Sequence, residues 1–214
     1  MDDPSRVSTP GFWEGQWAAG QDWDTGEATP PMARAISALP VLRDAVVVGC
    51  GRGHEARALV RRGWPRVVGV DFAEAALDAA REAEELDAPW EGRPRVEWRR
   101  QDVFTLGQTD PAAFDLVVEH ACCIAIDPAR RAEWARSLLA TLRPGGRLLA
   151  LLSLKPRVGG PPFEVGREDL EPVLSGAGFV LERSEVPADS IPSRRGQDWL
   201  VVAARGSTTR VGAP

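Results

Sequence analysis

The sequence predicts an α/β fold in which a glycine-rich turn joins the first buried strand to a helix. Residues 45–48 are four small or β-branched apolar residues, a run typical of a parallel strand covered on both faces. Gly49, Gly51 and Gly53 follow, and glycine lets the backbone turn sharply and leaves the main chain open to a ligand. Eighteen residues after Gly53, Asp71 ends a second apolar run, where a carboxylate can bind the hydroxyls of a ribose. Together these features predict a nucleoside-binding unit.

The spacing of the glycines distinguishes two classes of nucleotide loop. A dinucleotide fingerprint requires G-x-G-x-x-G, whose third glycine packs the helix against the strand, but His54 stands at that position. The G-x-G-x-G pattern resembles instead motif I of class I methyltransferases, in which the loop cradles S-adenosylmethionine. We favour this interpretation over a purely structural turn. The predicted cofactor contacts include the neighbouring Cys50 and Phe72, whereas His54 is expected in the first turn of the helix.

Length and composition fit one such domain. The chain has 214 residues, of which we assign 1–204 to a single domain and 205–214 to a disordered tail. The net charge is −5 and the 26 basic residues are scattered, which argues against a nucleic acid or an anionic membrane as the partner.

The expected location is the cytoplasm. No apolar run approaches the ~20 residues of a membrane span, and residues 1–4 do not resemble a signal peptide. Three cysteines and two histidines lack the spacing of a disulfide framework or a metal site. We expect a monomer or a weak homodimer.

The rest of the chain alternates strands and helices. Short apolar runs predict seven strands, and apolar residues three or four positions apart predict the helices. The strands are expected at 45–48, 67–70, 95–100, 114–118, 147–154, 178–186 and 199–203, and the helices at 32–39, 55–62, 73–87, 127–142 and 168–175.

Proline and glycine define the helix boundaries. Pro40 ends the first predicted helix, Gly63 closes the second, and Pro128 begins the fourth. The third helix, 73–87, is rich in alanine. Its inward positions are expected to be Ala76, Leu77, Ala80 and Ala83.

The amino-terminal segment 11–28 is rich in tryptophan. Trp13, Trp17 and Trp23 fall within eleven residues and are separated by glycines and acids, a pattern that does not match the core face of a long helix. The segment is either a cap over the sheet edge or a lid. In a lid, the indole faces would contact a sulfonium and exclude water, since a cation is attracted to an aromatic face. We include the three tryptophans in the predicted cofactor site.

Acidic residues follow the third and fourth predicted strands. Asp102, flanked by Gln101 and Val103, lies at the carboxyl end of strand three, where ligands of open α/β sheets bind. Its carboxylate is expected to accept the amino group of adenine, the alternative being a helix or turn cap. Glu119 and His120 directly follow strand four, where the transferable group is expected.

With these residues and motifs, the chain resembles a known family, the thiopurine, thiol and halide methyltransferases. The resemblance covers nearly the whole chain, and its most particular motifs are the tryptophan-rich start, the Gly-Gly-Pro-Pro-Phe loop and the Arg-Gly ending. The matching pieces are W-x-x-x-W at 13–17, Trp23-Asp24-x-Gly26, the Gly49 loop, Asp71, Asp102-x-Phe104, an acid followed by A-x-x-P-x-x-R within 119–131, G-G-P-P-F at 159–163, and R-G-x-x-W at 195–199.

The resemblance implies a fold and an activity. The fold is a Rossmann-like, seven-stranded class I methyltransferase sheet, mostly parallel with one antiparallel strand and with helices on both faces. The activity is the transfer of methyl from S-adenosylmethionine to a small soft nucleophile, most simply a thiol. The alternatives are an O- or N-methyltransferase for a natural product, a halide methyltransferase, and a nucleoside-binding module without turnover.

The resemblance also implies roles for individual residues. Glu119 corresponds to an acid of the cofactor site that is usually Asp in the family, and His120 stands where the family has Arg or Tyr. The chemistry of the acceptor, rather than the resemblance, makes His120 and Arg195 the candidate catalytic residues, since a base or a positive charge raises the reactive fraction of a thiol with pKa ~8.5. The alternative for His120 is a hydrogen-bonded residue that steers the loop, and for Arg195 a surface charge.

Two cysteines replace bulkier residues of the family beside this site. Cys122 and Cys123 stand where Phe or Leu is usual, and we interpret them as small buried hydrophobes rather than nucleophiles, because the cofactor already carries the transferred group. Their small size predicts a roomier acceptor pocket than a halide needs, hence a medium-sized thiol.

Overall fold

The computed structural model describes residues 4–20, 23–87, 92, 94–154 and 159–206. Its centre is a seven-stranded sheet in the order β3-β2-β1-β4-β5-β7-β6, in which only β7 is antiparallel to its neighbours. The predicted α/β class and the single antiparallel strand are therefore confirmed. The strands are β1 (Asp44–Val48), β2 (Arg66–Asp71), β3 (Glu97–Arg100), β4 (Phe114–His120), β5 (Leu142–Ser153), β6 (Phe179–Glu185) and β7 (Asp198–Arg205).

Seven α-helices accompany the sheet within the described residues. They are α1 (Pro10–Ala19), α2 (Pro30–Ala38), α3 (His54–Arg62), α4 (Glu74–Leu86), α5 (Val103–Thr109), α6 (Arg131–Thr141) and α7 (Arg167–Ala177). Gly63 closes α3 in the left-handed conformation, as its sequence position predicts. None of the helices in the described ranges combines the length and the hydropathy of a membrane span.

Two apolar layers pack on the two faces of the sheet. One contains Val117, Leu148 and Trp199 and lies against α5, α6 and α7, with Leu138 and Leu174 buried in it. The other layer lies against α2, α3 and part of α4. Because successive residues of a strand point to opposite faces, each central strand contributes to both layers and reads as a continuous apolar run.

Several elements differ from the sequence-based expectation. The tryptophan-rich segment contains a ten-residue helix, α1, although its pattern did not indicate one. The short helix α5, which Asp102 caps, was not predicted. In α4, Ala83 is only partly buried, although it was expected to face inward, and Glu84 is buried instead. The Glu84 carboxylate can be buried because it accepts the backbone N–H of Val96 and the indole N–H of Trp98.

Strand and helix ends also shift. Glu119 and His120 belong to β4 itself, β5 begins at Leu142, and a 3-10 turn at Pro128–Arg130 precedes α6. β7 runs through Arg205, one residue into the segment assigned to the tail, and residues 207–214 lie outside the described residues.

Candidate active site

The glycine turn after β1 is built from left-handed residues. Gly49, Gly51 and Gly53 have φ of 56°, 50° and 72°, which side chains other than glycine rarely adopt. Between them, Cys50 donates its backbone N–H to the carbonyl of Val70 at 3.0 Å, which joins the turn to β2. The turn therefore presents bare main chain at the carboxyl edge of the sheet, as predicted.

Asp71 braces this turn from the end of β2. One carboxylate oxygen accepts the N–H of Gly51 at 3.1 Å and the other accepts the N–H of Ala73 at 3.0 Å. Burial raises the pKa of Asp71, and the backbone N–H groups offset only part of that effect. The carboxylate and the glycine turn thus form one unit at the carboxyl edge of the sheet, the edge at which open α/β folds bind nucleosides.

The tryptophan-rich segment lies on this unit. A Cβ at Gly51 would stand 3.5 Å from the Trp17 ring, and the Trp17 and Trp23 rings meet edge to face at 6.0 Å. Trp13 meets Trp23 in the same way and donates its indole N–H to a backbone carbonyl at 2.8 Å. These contacts place Trp17 next to the glycine turn.

Two carboxylates hold the segment in place. Glu14, in α1, accepts the N–H groups of Glu74 and Ala75 at 2.7 and 3.0 Å and so caps α4 from another part of the chain. Asp24 contacts Nε2 of His54 at 2.7 Å. His54 is the first residue of α3, as expected, and this contact joins the segment to the helix that follows the glycine turn.

The thiols beside the site pack as apolar groups. A Cβ at Gly49 would lie 2.7 Å from the Cys122 sulfur, so the two residues are in close contact, and Cys123 is fully buried in the core. Burial raises the pKa of both thiols well above the ordinary value. Because Cys123 fills the core and Cys122 packs on Gly49, the roomier pocket predicted from their small size is not supported.

Glu119 is buried under the loop that follows β4. Its Oε1 accepts the N–H of Cys123 at 2.8 Å, and Oε2 has no hydrogen-bond partner among the described residues. Burial raises the pKa of Glu119 to about 7. Its side chain points to the face of α5–α7, opposite to that of the next residue, His120.

His120 is held between an acid and a guanidinium. Its Nδ1 lies 2.8 Å from Oε1 of Glu55, which is in the first turn of α3, and its Nε2 lies 3.1 Å from Nη1 of Arg194. Burial opposes ionisation of Glu55, but the charge and hydrogen bond of His120, together with a backbone N–H and the charge of His54, lower the pKa of Glu55. Since the guanidinium can only donate, Nε2 accepts and Nδ1 carries the proton donated to Glu55. The row of three side chains lies at the carboxyl edge of β4, beside the glycine turn.

Arg195 lies next to this row but does not join it. Its side chain is exposed and forms no hydrogen bond or ion pair within the part of the chain that the structure describes. Arg194 instead donates to His120 and, at 3.3 Å, to the carbonyl of Trp23 in the tryptophan-rich segment.

The remaining candidate residues surround Asp71. Asp102 caps α5 by accepting the N–H of Phe104 at 3.0 Å, the alternative weighed for it, and this contact uses one of its two oxygens. Gln101 donates its backbone N–H to the Asp71 carbonyl at 2.9 Å while its side chain turns to Thr109 and Asp110. The partly buried Val103 and Phe72 complete this edge.

Several members of the site had no clear signal in the sequence. Glu55 reads as an ordinary acid in the first turn of a helix, and its contact with His120 joins residues 65 apart. Arg194 and Arg195 are adjacent, and a sequence does not tell which of two neighbouring side chains faces a cleft. Glu14 and Asp24 lie in the tryptophan-rich segment, but the groups that they contact, at the start of α4 and of α3, are distant in sequence.

The donor set fits S-adenosylmethionine. The left-handed glycines place no side chains of their own on the turn, Asp71 offers a carboxylate for hydroxyls, and the Trp17 ring lies beside Gly51. Within the described residues, these groups converge at one edge of the sheet, where nucleosides bind in open α/β folds.

Comparisons with known proteins agree with this geometry. The family model described as thiopurine S-methyltransferase (TPMT) matches residues 8–211. The chain is 36% identical over 199 residues to thiocyanate methyltransferase 1 of Arabidopsis thaliana, covering 89% of this chain and 82% of the relative. It is 31% identical over 186 residues to thiopurine S-methyltransferase of Pseudomonas fluorescens, covering 81% and 84%.

The fold also matches solved structures. One is 1,6-didemethyltoxoflavin-N1-methyltransferase of Burkholderia thailandensis, with a TM-score of 0.71, 21% identity, and coverage of 97% of this chain and 92% of that chain. At this identity the likeness concerns the fold alone.

Proposed function

The chain belongs to the thiopurine S-methyltransferase family, and on that premise we propose that it methylates the sulfur of a small-molecule thiol. The chain is an S-adenosylmethionine-dependent methyltransferase. When bound, S-adenosylmethionine supplies an electrophilic methyl group on a sulfonium. The residues of the chain then have to bind the cofactor and the acceptor, align the nucleophile with the methyl group and exclude water. They also have to make the nucleophile reactive.

Binding of the cofactor is assigned to the glycine turn and its surroundings. Asp71 would take the ribose hydroxyls, and Asp102 would use its second oxygen toward the adenine amino group. The main chain of 49–53 would lie along the nucleoside, and Trp17 would cover it from the lid segment. Their convergence at one edge supports these assignments.

The row of Glu55, His120 and Arg194, in which Glu55 is buried and the other two are partly buried, carries the proposal for the acceptor. A thiol with pKa ~8.5 is mostly protonated at neutral pH, so a base near neutrality raises the reactive fraction. Nε2 of His120 is the acceptor atom of the imidazole, and in this structure it receives an N–H from Arg194. We propose that the bound thiol displaces the Arg194 N–H from Nε2, so that the S–H group of the thiol donates its proton to Nε2.

Glu55 and Arg194 would then stabilise the charges that result. The Glu55 carboxylate, 2.8 Å from Nδ1, faces the imidazolium that forms. The guanidinium released from Nε2 would remain beside the thiolate. The same arginine donates to the Trp23 carbonyl, which would couple lid closure to the arrangement around His120.

A small soft acceptor agrees with the named relatives. One is a thiocyanate methyltransferase and another a thiopurine S-methyltransferase, so both names specify a sulfur-containing acceptor. The halide alternative lacks a role for a base, because a halide carries no proton to remove. The row around His120 therefore favours a thiol.

We place this reaction in the cytoplasm, with a small molecule and no nucleic acid as the partner, and the protein as a monomer or weak homodimer. Three free cysteines support a reducing compartment, since Cys50, Cys122 and Cys123 are unpaired. The net charge of −5 supports a partner other than nucleic acid. Light scattering at micromolar concentration measures the oligomeric state.

An acceptor panel tests the proposal. Purified protein with S-adenosylmethionine is incubated with aliphatic and heteroaromatic thiols, thiocyanate, iodide and phenols, and formation of S-adenosylhomocysteine is followed. We expect thiols to give the highest kcat/KM. Efficient turnover of iodide or phenols without turnover of thiols would contradict the proposal.

A further inference from the structure

Asp198 is a buried carboxyl group that has no hydrogen-bond partner among the described residues. It is 1% exposed, and neither of its oxygens accepts a hydrogen bond from any described residue. The Ser190 hydroxyl contacts the carbonyl of Pro187 at 3.3 Å and lies close enough to Asp198 to lower its pKa, but it does not reach either carboxyl oxygen at hydrogen-bond distance. Leaving such a group unpaired is costly, so its presence calls for a ligand or a functional role.

Asp198 lies on the same edge and the same face of the sheet as His120. Because β7 is antiparallel, its first residue stands at the carboxyl edge, where Asp198 pairs with Ser153 at the end of β5. His120 pairs with Leu151, which pairs with Leu200. Alternation along the strand therefore directs the side chains of Asp198 and His120 to one face.

Within the described residues, no cation forms an ion pair or a hydrogen bond with Asp198. Arg194 is occupied by Nε2 of His120 and by the carbonyl of Trp23, and it forms no ion pair with Asp198. Burial raises the pKa of Asp198, and the Ser190 hydroxyl and the charges of Arg194 and His120 offset only part of this effect. A second cation beside Arg194 would be repelled, so a neutral donor suits this carboxyl better.

We propose that Asp198 binds a neutral O–H or N–H group of the methyl acceptor. This inference rests on the proposed function and narrows its substrate class to thiols that carry such a donor at some distance from the sulfur. Two strand spacings across the sheet and an offset of two residues along it separate the Cα atoms of Asp198 and His120, which gives roughly 12 Å. The side chains shorten this span, so the donor and the thiol belong on one small molecule several bonds apart.

Matched acceptors test the proposal. Hydroxyl-terminated alkane thiols are compared with methyl-terminated thiols of the same length, with chains of two, four and six carbons between the sulfur and the end group. The ratio of their kcat/KM values is measured for the wild type, Asp198→Leu, Asp198→Asn and a control, Asp189→Asn. Asp189 is a partly exposed carboxylate of the same loop that pairs with Arg34. Small differences in thiol acidity cancel when ratios are compared between variants.

The wild type should prefer the hydroxyl-terminated thiol at one of the lengths. We expect Asp198→Leu to lower that preference by about tenfold or more, with Asp198→Asn in between and Asp189→Asn unchanged. If Asp198→Leu lowered kcat/KM for both thiols and left their ratio unchanged, the proposal would be overturned, and the role of Asp198 would be to position Arg194. Preference for an ammonium-terminated thiol would also overturn it. Absence of turnover with every thiol would overturn the proposed function itself.

Thermal unfolding of the ligand-free protein gives a second measurement. If Asp198 waits for a ligand, Asp198→Asn should unfold at the same or a higher temperature than the wild type at pH 8. The gain should shrink toward pH 4, because a carboxyl with a raised pKa destabilises the fold only when it must ionise. A fall of several degrees at both pH values would show that Asp198 is a structural member of the fold and would overturn the proposal.

Discussion

His120 donates its Nδ1 hydrogen to Glu55 across 2.8 Å, between the end of β4 and the first turn of α3. Both side chains are largely buried, and the contact fixes the imidazole so that Nε2 faces the site. An acid that orients a histidine and stabilises its charged form is a common arrangement for a general base. The pair thus links the glycine turn, which precedes α3, to the acceptor side of the cleft.

Replacement of His120 should give a defect that depends on pH. His120→Ala is expected to lower kcat/KM for a thiol by about tenfold or more near pH 7, and to recover most of that loss near pH 9, where the thiol ionises unaided. His54→Ala is the matched control, because His54 contacts the lid segment and should give a defect that is equal at both values. An equal defect for His120→Ala would assign it a positioning role only.

The adjacent arginines should differ in their effect. Arg194→Ala removes the donor to His120 and to the Trp23 carbonyl and is expected to lower kcat/KM at pH 7 by about tenfold. Arg195→Ala, whose side chain is exposed, should change it less than about twofold. A larger loss of kcat/KM in Arg195→Ala than in Arg194→Ala would show that Arg195, the residue expected from the sequence, is the functional arginine.

Removal of the Asp71 charge should weaken cofactor binding. Asp71→Asn keeps one acceptor oxygen for the N–H of Gly51 or of Ala73, and it loses the charge that strengthens hydrogen bonds to ribose hydroxyls. Calorimetry should show an affinity for S-adenosylmethionine lower by at least tenfold, about 1.4 kcal/mol. Asp78→Asn, on the exposed face of α4, should bind like the wild type. Unchanged affinity in Asp71→Asn would remove Asp71 from the cofactor site.

Glu119 should destabilise the fold at alkaline pH. Its pKa is about 7 in the fold against an ordinary value of 4.5, so the native state holds this proton more strongly. Its contribution to stability falls as pH rises from 4.5 to 7 and then levels off, by about 3 kcal/mol at most. Glu119→Gln should therefore gain stability over the wild type at pH 8.5 and lose that gain near pH 5. Chemical denaturation measures the free energy of unfolding at both pH values, and Glu133→Gln, at an exposed position, is the control that should show no such difference. An equal loss of stability at both pH values in Glu119→Gln would contradict the assigned pKa.

The lid segment should respond to the cofactor. Deletion of residues 1–19 removes α1 with Glu14 and Trp17 but keeps Asp24, so the domain should remain folded while turnover falls by about tenfold or more. In the intact protein, S-adenosylhomocysteine should slow proteolytic cleavage within α1. Cleavage at the same rate with and without it would favour a structural cap.

The fold was largely predictable because its signals are local. The apolar run at 45–48, the glycines after it and Asp71 each follow from short stretches of sequence, and the structure has the strand, turn and acid where they were expected. Helix α1 was missed because Glu14 and Trp17 serve contacts with α4 and the glycine turn, so its pattern reflects tertiary partners rather than one apolar face.

The site was predictable only in part for the same reason. His120 could be located because it follows a strand that ends at the ligand-binding edge. Its partners could not, since Glu55 and Arg194 come from segments 65 and 74 residues away. Asp198 was noticed only as part of an Arg-Gly motif, and its unpaired burial is a property of the folded chain.

Transfer of a labelled methyl group tests the central claim most directly. Purified protein is incubated with S-adenosylmethionine that carries a trideuterated methyl group and with an aliphatic thiol, and the products are identified by mass spectrometry. The account predicts a trideuteromethyl thioether formed in equal amount with S-adenosylhomocysteine, and the same reaction slowed at neutral pH in His120→Ala. Label found only on oxygen, nitrogen or a halide, or no transfer from cofactor that is demonstrably bound, would contradict it.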